Sequence, residues 1–198
     1  MKIAGEDAAY YSRVFDRALK EGDRYISLNT GKDDQPFPEE TMRFFKSKSE
    51  ALEYGYTKRT RENEYLESLP ILSVQEQLVR RMELQQLTGT PGQAPKDIVI
   101  DTGLIRRDER ARQEIFTEEI SRQLRDQGIK PDQKSLQEHI GQDSVQFAVN
   151  GSRREQGEEK SYTIKIEQNE SRAFLISAIE AQQNILPQKN QGVCMMRY

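Results

Sequence analysis

The chain holds a single histidine, His139, and a single cysteine, Cys194. Sites that need two imidazoles are therefore excluded, a His-x-x-x-His zinc motif among them, as are the usual one-chain structural zinc sites. A Cys194–His139 nucleophile pair would need an oxyanion site, and Cys194 sits in a Met-rich stretch that offers none. His139 comes just before Gly141, a helix-end position more typical of a cap or surface group. The acidic pairs Asp33-Asp34, Glu118-Glu119 and Glu158-Glu159 lack EF-hand spacing and are read as solvated surface. Thr30-Gly31-Lys32 lacks both the upstream Gly and the downstream Ser or Thr of a phosphate-binding loop, and Gly89 with Gly92 does not make a dinucleotide fingerprint. No metal, nucleotide or other cofactor is implied.

Two small groups of cations are left. Lys58, Arg59 and Arg61 lie among Tyr54, Tyr56 and Tyr65, and tyrosines interleaved with cations can stack on single-stranded bases. Glu62, Glu64 and Glu67 follow at once, so a salt-bridged helix face is the commoner meaning. Arg153 and Arg154, with Lys160 close by, fall in a polar loop expected from Gly151 to Lys160. The order helix, turn, helix, hairpin over residues 106–167 resembles a winged helix, and that resemblance implies Arg153 and Arg154 at a wing tip, in reach of phosphates. Glu155, Glu158 and Glu159 offset that loop, and the segment in the recognition-helix position, 133–140, has one Lys, one Glu and no Arg.

Ile98-Val99-Ile100-Asp101-Thr102-Gly103 resembles the active-site signature of retroviral-type aspartic proteases. The resemblance implies Asp101 as the acid/base shared between two subunits, with Thr102 and Gly103 shaping its loop. It covers six residues. Leu104 follows where that family has a small residue, and a charged helix is expected where that fold needs strands. A strand ending in a turn, with Asp101 beside a helix start, is the structural alternative.

Elements that would position these residues can be read from periodicity. Tyr11, Val14, Phe15, Ala18 and Leu19 make a helical stripe over 6–20, ended by Gly22. A strand is expected over 24–29 and a second over 41–46, the latter followed by a helix from about Lys48 under the capping box Ser47-Lys48-Ser49-Glu50. The competing reading runs one long helix from Pro38. Another capping box, Ser73 to Glu76, should open a helix that stops at Thr88-Gly89. Ile98 to Ile100 is a short apolar run, and a charge-laced helix over 106–126 should bury Ile105, Phe116, Ile120 and Leu124. A short helix over 132–140 precedes two alternating strands, Val145 to Val149 and Tyr162 to Ile166. Asn169 is placed to cap a final helix carrying Phe174, Leu175, Ala178, Ile179, Ile185 and Leu186.

With Gly counted and Tyr left out, about 36% of the 198 residues are apolar, against about 45–50% in an ordinary domain. Charged residues make up 32%, Gln occurs 19 times, and the net charge is −3. Such a balance weakens a general nucleic-acid or anionic-membrane binder. It leaves no sizeable single-sign patch, so a partner should recognise shape and hydrogen bonds more than bulk charge. The expectation is an α+β chain of two small lobes: 1–87, a Gly/Pro-rich linker at 88–97, a helix-helix-hairpin-helix lobe at 98–187, and a tail at 188–198. With one cysteine, an acidic amino terminus and no long apolar stretch, it reads as a cytoplasmic protein without a membrane span. The expected role is non-enzymatic: an interaction, regulatory or accessory protein with an unidentified protein partner, in a style that suits a bacterial mobile element or phage. A nucleic-acid-binding module is the alternative, and an aspartic protease is a distant third.

Overall fold

The structure is a computed structural model that describes residues 1–30, 42–58, 66–90 and 92–182. Helix α1 (Ala8–Lys20) buries Ala8, Tyr11, Phe15 and Ala18 on the stripe its spacing predicts. It stops at Gly22, whose φ of 89° lets the chain turn back so that Asp23 N–H reaches Ala18 O. Strand β2 (Tyr25–Asn29) is the middle of a three-stranded antiparallel sheet, between β3 (Arg43–Phe45) and β4 (Leu66–Pro70). The strand-then-helix reading therefore fits, over residues 42–58, the register Tyr25↔Phe45 and Ile26↔Phe44, while Thr41 lies outside the described residues. Helix α2 (Lys48–Lys58) carries the expected capping box: Glu50 N–H donates to Ser47 Oγ at 3.2 Å, and Ser47 N–H to Glu50 Oε2 at 3.3 Å.

Helix α3 (Ile71–Thr88) starts two residues before its expected cap. Strand β4 runs straight into it because Ile71 N–H is already satisfied by Arg24 O, and burial of Ile71 and Val74 fixes the first turn. Ser73 is thereby inside the helix, and its hydroxyl donates to Glu109 at 3.2 Å. The Gly/Pro-rich stretch after α3 lies against the start of the chain. Gln85 donates to Lys96 O at 2.8 Å, Lys2 pairs with Asp97 at 2.8 Å, and β5 (Ile98–Val99) pairs antiparallel with β1 (Lys2–Ile3). Gly5 permits this approach, since a methyl there would overlap the Pro95 carbonyl.

Helix α4 (Thr102–Asp126) is the longest element, and it contributes to two separate apolar cores. Ile105 joins a first core of Met1, Ile3, Phe15, Ile26, Leu28, Leu69, Ile71, Leu78, Ile98 and Ile100. Ile120 and Leu124 join a second core with Ile129, Leu136, Ile140, Phe147, Val149, Ile164, Ile166 and Phe174. The second core lies between α4, α5 (Gln133–Gly141) and a four-stranded antiparallel sheet, β6 (Lys130–Pro131), β7 (Gln146–Glu155), β8 (Glu158–Gln168) and β9 (Phe174–Ala181), in that order.

Two expectations are corrected here. The stretch from Gly151 to Lys160 is not a loop: pairing continues to Glu155↔Glu158, and the turn is Gln156-Gly157, with φ of 52° and 89°. Two residues at positive φ give a turn whose twist suits the hairpin, so the ladder can run past the core. The final helix is replaced by β9, which pairs with β8 from Gln168↔Phe174 to Tyr162↔Ala181. Asn169 does accept a hydrogen bond from Ala173 N–H at 2.9 Å, but this closes a turn that returns the chain along the open edge of β8. Phe174 and Ile179 satisfy a helical and a strand spacing alike, and the unpaired edge decides between them. The part of that expected helix beyond Gln182, and the expected tail at 188–198, lie outside the described residues. The architecture is α+β with small antiparallel sheets, and among the described residues no helix is long and apolar enough to cross a membrane.

Candidate functional site

The two cores meet at a buried cluster of charged and polar side chains. Its centre is Asp143, whose side chain is 0% exposed, beside Arg172 at 9%. Both residues have positive φ, 54° and 62°, and only one other described non-glycine residue does. Asp tolerates the left-handed region, whereas a long side chain rarely enters it. Arg172 is held there by its N–H to Asn169 O at 2.9 Å and by Arg112, which donates to Arg172 O at 2.7 Å.

Every lone-pair direction of Asp143 is used. Oδ2 accepts from Tyr25 Oη at 2.7 Å, from Arg172 at 2.8 Å and from Arg24 at 3.3 Å. Oδ1 accepts from Arg112 at 2.7 Å and from Gln168 at 2.6 Å. Gln168 Oε1 in turn accepts from Arg24. Arg172 also makes a two-pronged pair with Glu109, at 2.9 and 2.8 Å, and its guanidinium lies over the Tyr25 ring. Arg24 and Tyr25 come from the first core side, Asp143, Gln168 and Arg172 from the second, and Glu109 and Arg112 from α4 between them.

The electrostatics follow from this geometry. Burial alone would raise the Asp143 carboxyl, but the charge of Arg172 and the hydrogen bonds from Tyr25 and Arg112 outweigh it and hold the group well below the usual carboxylate range. Burial acts the same way on Glu109, and Arg172 again reverses it, leaving that carboxyl lowered. The Tyr25 hydroxyl is pushed far up, first by burial and then by the Asp143 charge, so it stays a neutral donor. Burial lowers Lys48, whose ammonium donates to Gly141 O at 2.7 Å with no carboxylate in ion-pair contact among the described residues. Four cations, Arg24, Arg112, Arg172 and Lys48, thus face two carboxylates. The arrangement can clasp the two halves, and it leaves positive charge over at the junction.

The residues singled out in the sequence lie elsewhere. Arg153 and Lys160 both pair with Glu155, at 3.3 and 2.5 Å, on adjacent strands of the β7–β8 hairpin, while Arg154 is exposed beside them. Lys58 is exposed at the end of α2, and Arg59, Arg61 and Cys194 lie outside the described residues. Asp101 caps α4, accepting from Leu104 N–H at 2.8 Å, and its own N–H donates to Gln77. His139 stacks on Phe147, ring centres 4.7 Å apart. Among the described residues no group of three or more His, Cys, Asp or Glu is placed to hold a metal ion. The clasp was missed because Arg24, Arg112, Asp143 and Arg172 share no motif. One faint signal was available: Asp143 follows the end of an expected helix, where Asp suits a left-handed turn. No protein family, characterised protein or solved structure matches the chain.

Proposed function

We propose that this is a non-enzymatic binding protein, in which two lobes are held as one unit by the Asp143–Arg172 clasp and the outward face of α4 is offered to a protein partner. The observation that supports it most is that face itself. Leu104, Ala111 and Ile115 recur at helical spacing, with Leu104 37% and Ile115 65% exposed, and Asp108, Glu114 and Glu118 around them. An apolar centre with a charged rim is the anatomy of a protein interface. The buried charges, in contrast, are committed to one another, which suits a structural role more than proton transfer. An intracellular accessory or regulatory factor is the corresponding biological role.

Affinity capture with the full chain as bait, after nuclease treatment, should recover a stoichiometric protein. Leu104→Asp with Ile115→Asp should abolish that recovery, and Arg153→Ala with Arg154→Ala should not. The reverse pattern, with nuclease-sensitive and steeply salt-dependent capture, would favour the winged-helix-like nucleic-acid reading. That alternative has less support, since Glu155 already engages two of its three proposed phosphate contacts.

A further inference from the structure

Beside the clasp, a cleft of about 670 Å³ opens between α4, strand β4 and the start of α2. Its floor is apolar, formed by Leu69, Pro70, Ile105 and the Tyr25 ring, and its rim carries Lys48, Arg106, Arg107 and Arg110. The volume is that of a cavity for a small organic molecule. Asp101 and Glu109 also line it, but Asp101 caps α4 and Glu109 is bound by Arg172. Arg106 is paired with Glu67 at 2.9 Å. Among the described residues, neither Arg107 nor Arg110 has a hydrogen-bond or ion-pair partner, and Lys48 has only a backbone carbonyl.

We infer that this cleft binds a small organic phosphate, with its anionic groups between Arg107, Arg110 and Lys48 and its carbon body over the Leu69–Pro70–Ile105 floor. A half-buried ammonium whose only direct partner among the described residues is a backbone carbonyl is costly, and an oxyanion beside it lowers the cost. Guanidinium groups one helical turn apart on α4 offer the paired donors that phosphate oxygens accept. The protein is acidic as a whole, so this local excess stands out against its surroundings. A polynucleotide fits less well, because Asp108 and Glu114 flank the arginines on α4. The inference does not depend on the protein partner proposed above, since neither Leu104 nor Ile115 lines the cleft.

The test is isothermal titration calorimetry of the full chain with inorganic pyrophosphate and with ADP at low and moderate salt. At least one probe should bind, more weakly as salt rises, and Arg107→Gln with Arg110→Gln should weaken it tenfold or more. Lys48→Gln should weaken it as well. Arg122→Gln with Arg125→Gln, the same charge change further along α4, should alter it less than twofold. Absence of heat with both probes at millimolar concentration would overturn the inference, as would binding that survives the Arg107/Arg110 change or falls equally with the control. A single-stranded 12-mer that binds more tightly than ADP, and is lost with the same two arginines, would overturn the small-molecule assignment in favour of a polynucleotide. None of these results bears on capture through Leu104 and Ile115, so the two proposals fail separately.

Discussion

Asp143 has no solvent left to hydrate it, and its charge is tolerated only because Tyr25, Gln168 and three arginines surround it. Removing the carboxylate leaves Arg172 and Arg112 buried against one remaining acid. Asp143→Ala should therefore cost about 3–5 kcal/mol, the range for breaking a buried pair from one side, read as a fall in the urea midpoint. The pH dependence has a definite sign. Asp143 and Glu109 are lowered in the folded state relative to about 3.9 and 4.3 in the unfolded chain, so their contribution is fully present above about pH 4.3 and is lost as pH falls through the folded values. Urea midpoints should drop steeply below pH 4, and the drop should be shallower in Asp143→Ala. A variant with the unchanged slope would mean that Asp143 is not among the groups that take up protons. Little of this could be read in advance. Arg24 and Asp143 are 119 residues apart, Tyr25 and Arg172 are 147 apart, and no local spacing encodes such pairs.

At the level of single elements, local chemistry was legible where it is self-contained. The Ser47–Glu50 box closes within four residues and is formed as expected, so Ser47→Ala should destabilise by about 0.5–2 kcal/mol. The box at Ser73 has the same letters, but β4 already supplies the helix start, and a long-range partner, Glu109, takes the hydroxyl. Strand β9 failed for a related reason: its apolar spacing fits helix and strand, and the deciding group is the free edge of β8, distant in sequence until the turn at 169–173 brings it near. Gly151 gives a sharper test of the β7 register. A methyl there would lie 2.7 Å from Ile164 Cδ1 and 2.9 Å from Ile129 Cγ2, inside the second core. Gly151→Ala should cost about 1–3 kcal/mol by overpacking, whereas Gly157→Asn at the exposed turn should cost less, since no neighbour lies within 4 Å and Asn is among the side chains that enter positive φ. Equal losses at the two sites would place the ladder wrongly.

For the whole molecule, the scarcity of apolar residues is resolved by dividing them between two small cores, each of which would be marginal alone. What joins them is one helix and one polar cluster. Helix α4 has Ile105 in the first core and Ile120 in the second, with Glu109 and Arg112 between, so neither core can open without unpairing charges at the junction. The near-neutral composition hid this, because charges that balance in total are unevenly placed, with arginines from three segments converging on two carboxylates. Unfolding of the chain should consequently be a single transition, with tyrosine fluorescence and far-ultraviolet circular dichroism giving coincident curves. In Asp143→Ala the coupling is weakened more than either core. Amide exchange should then protect β7 and β8 at a different level from β2 and β4, whereas the parent protein should show similar protection in both sheets. Equal protection of the two sheets in the variant would assign the coupling to α4 alone and leave the clasp a purely local contributor.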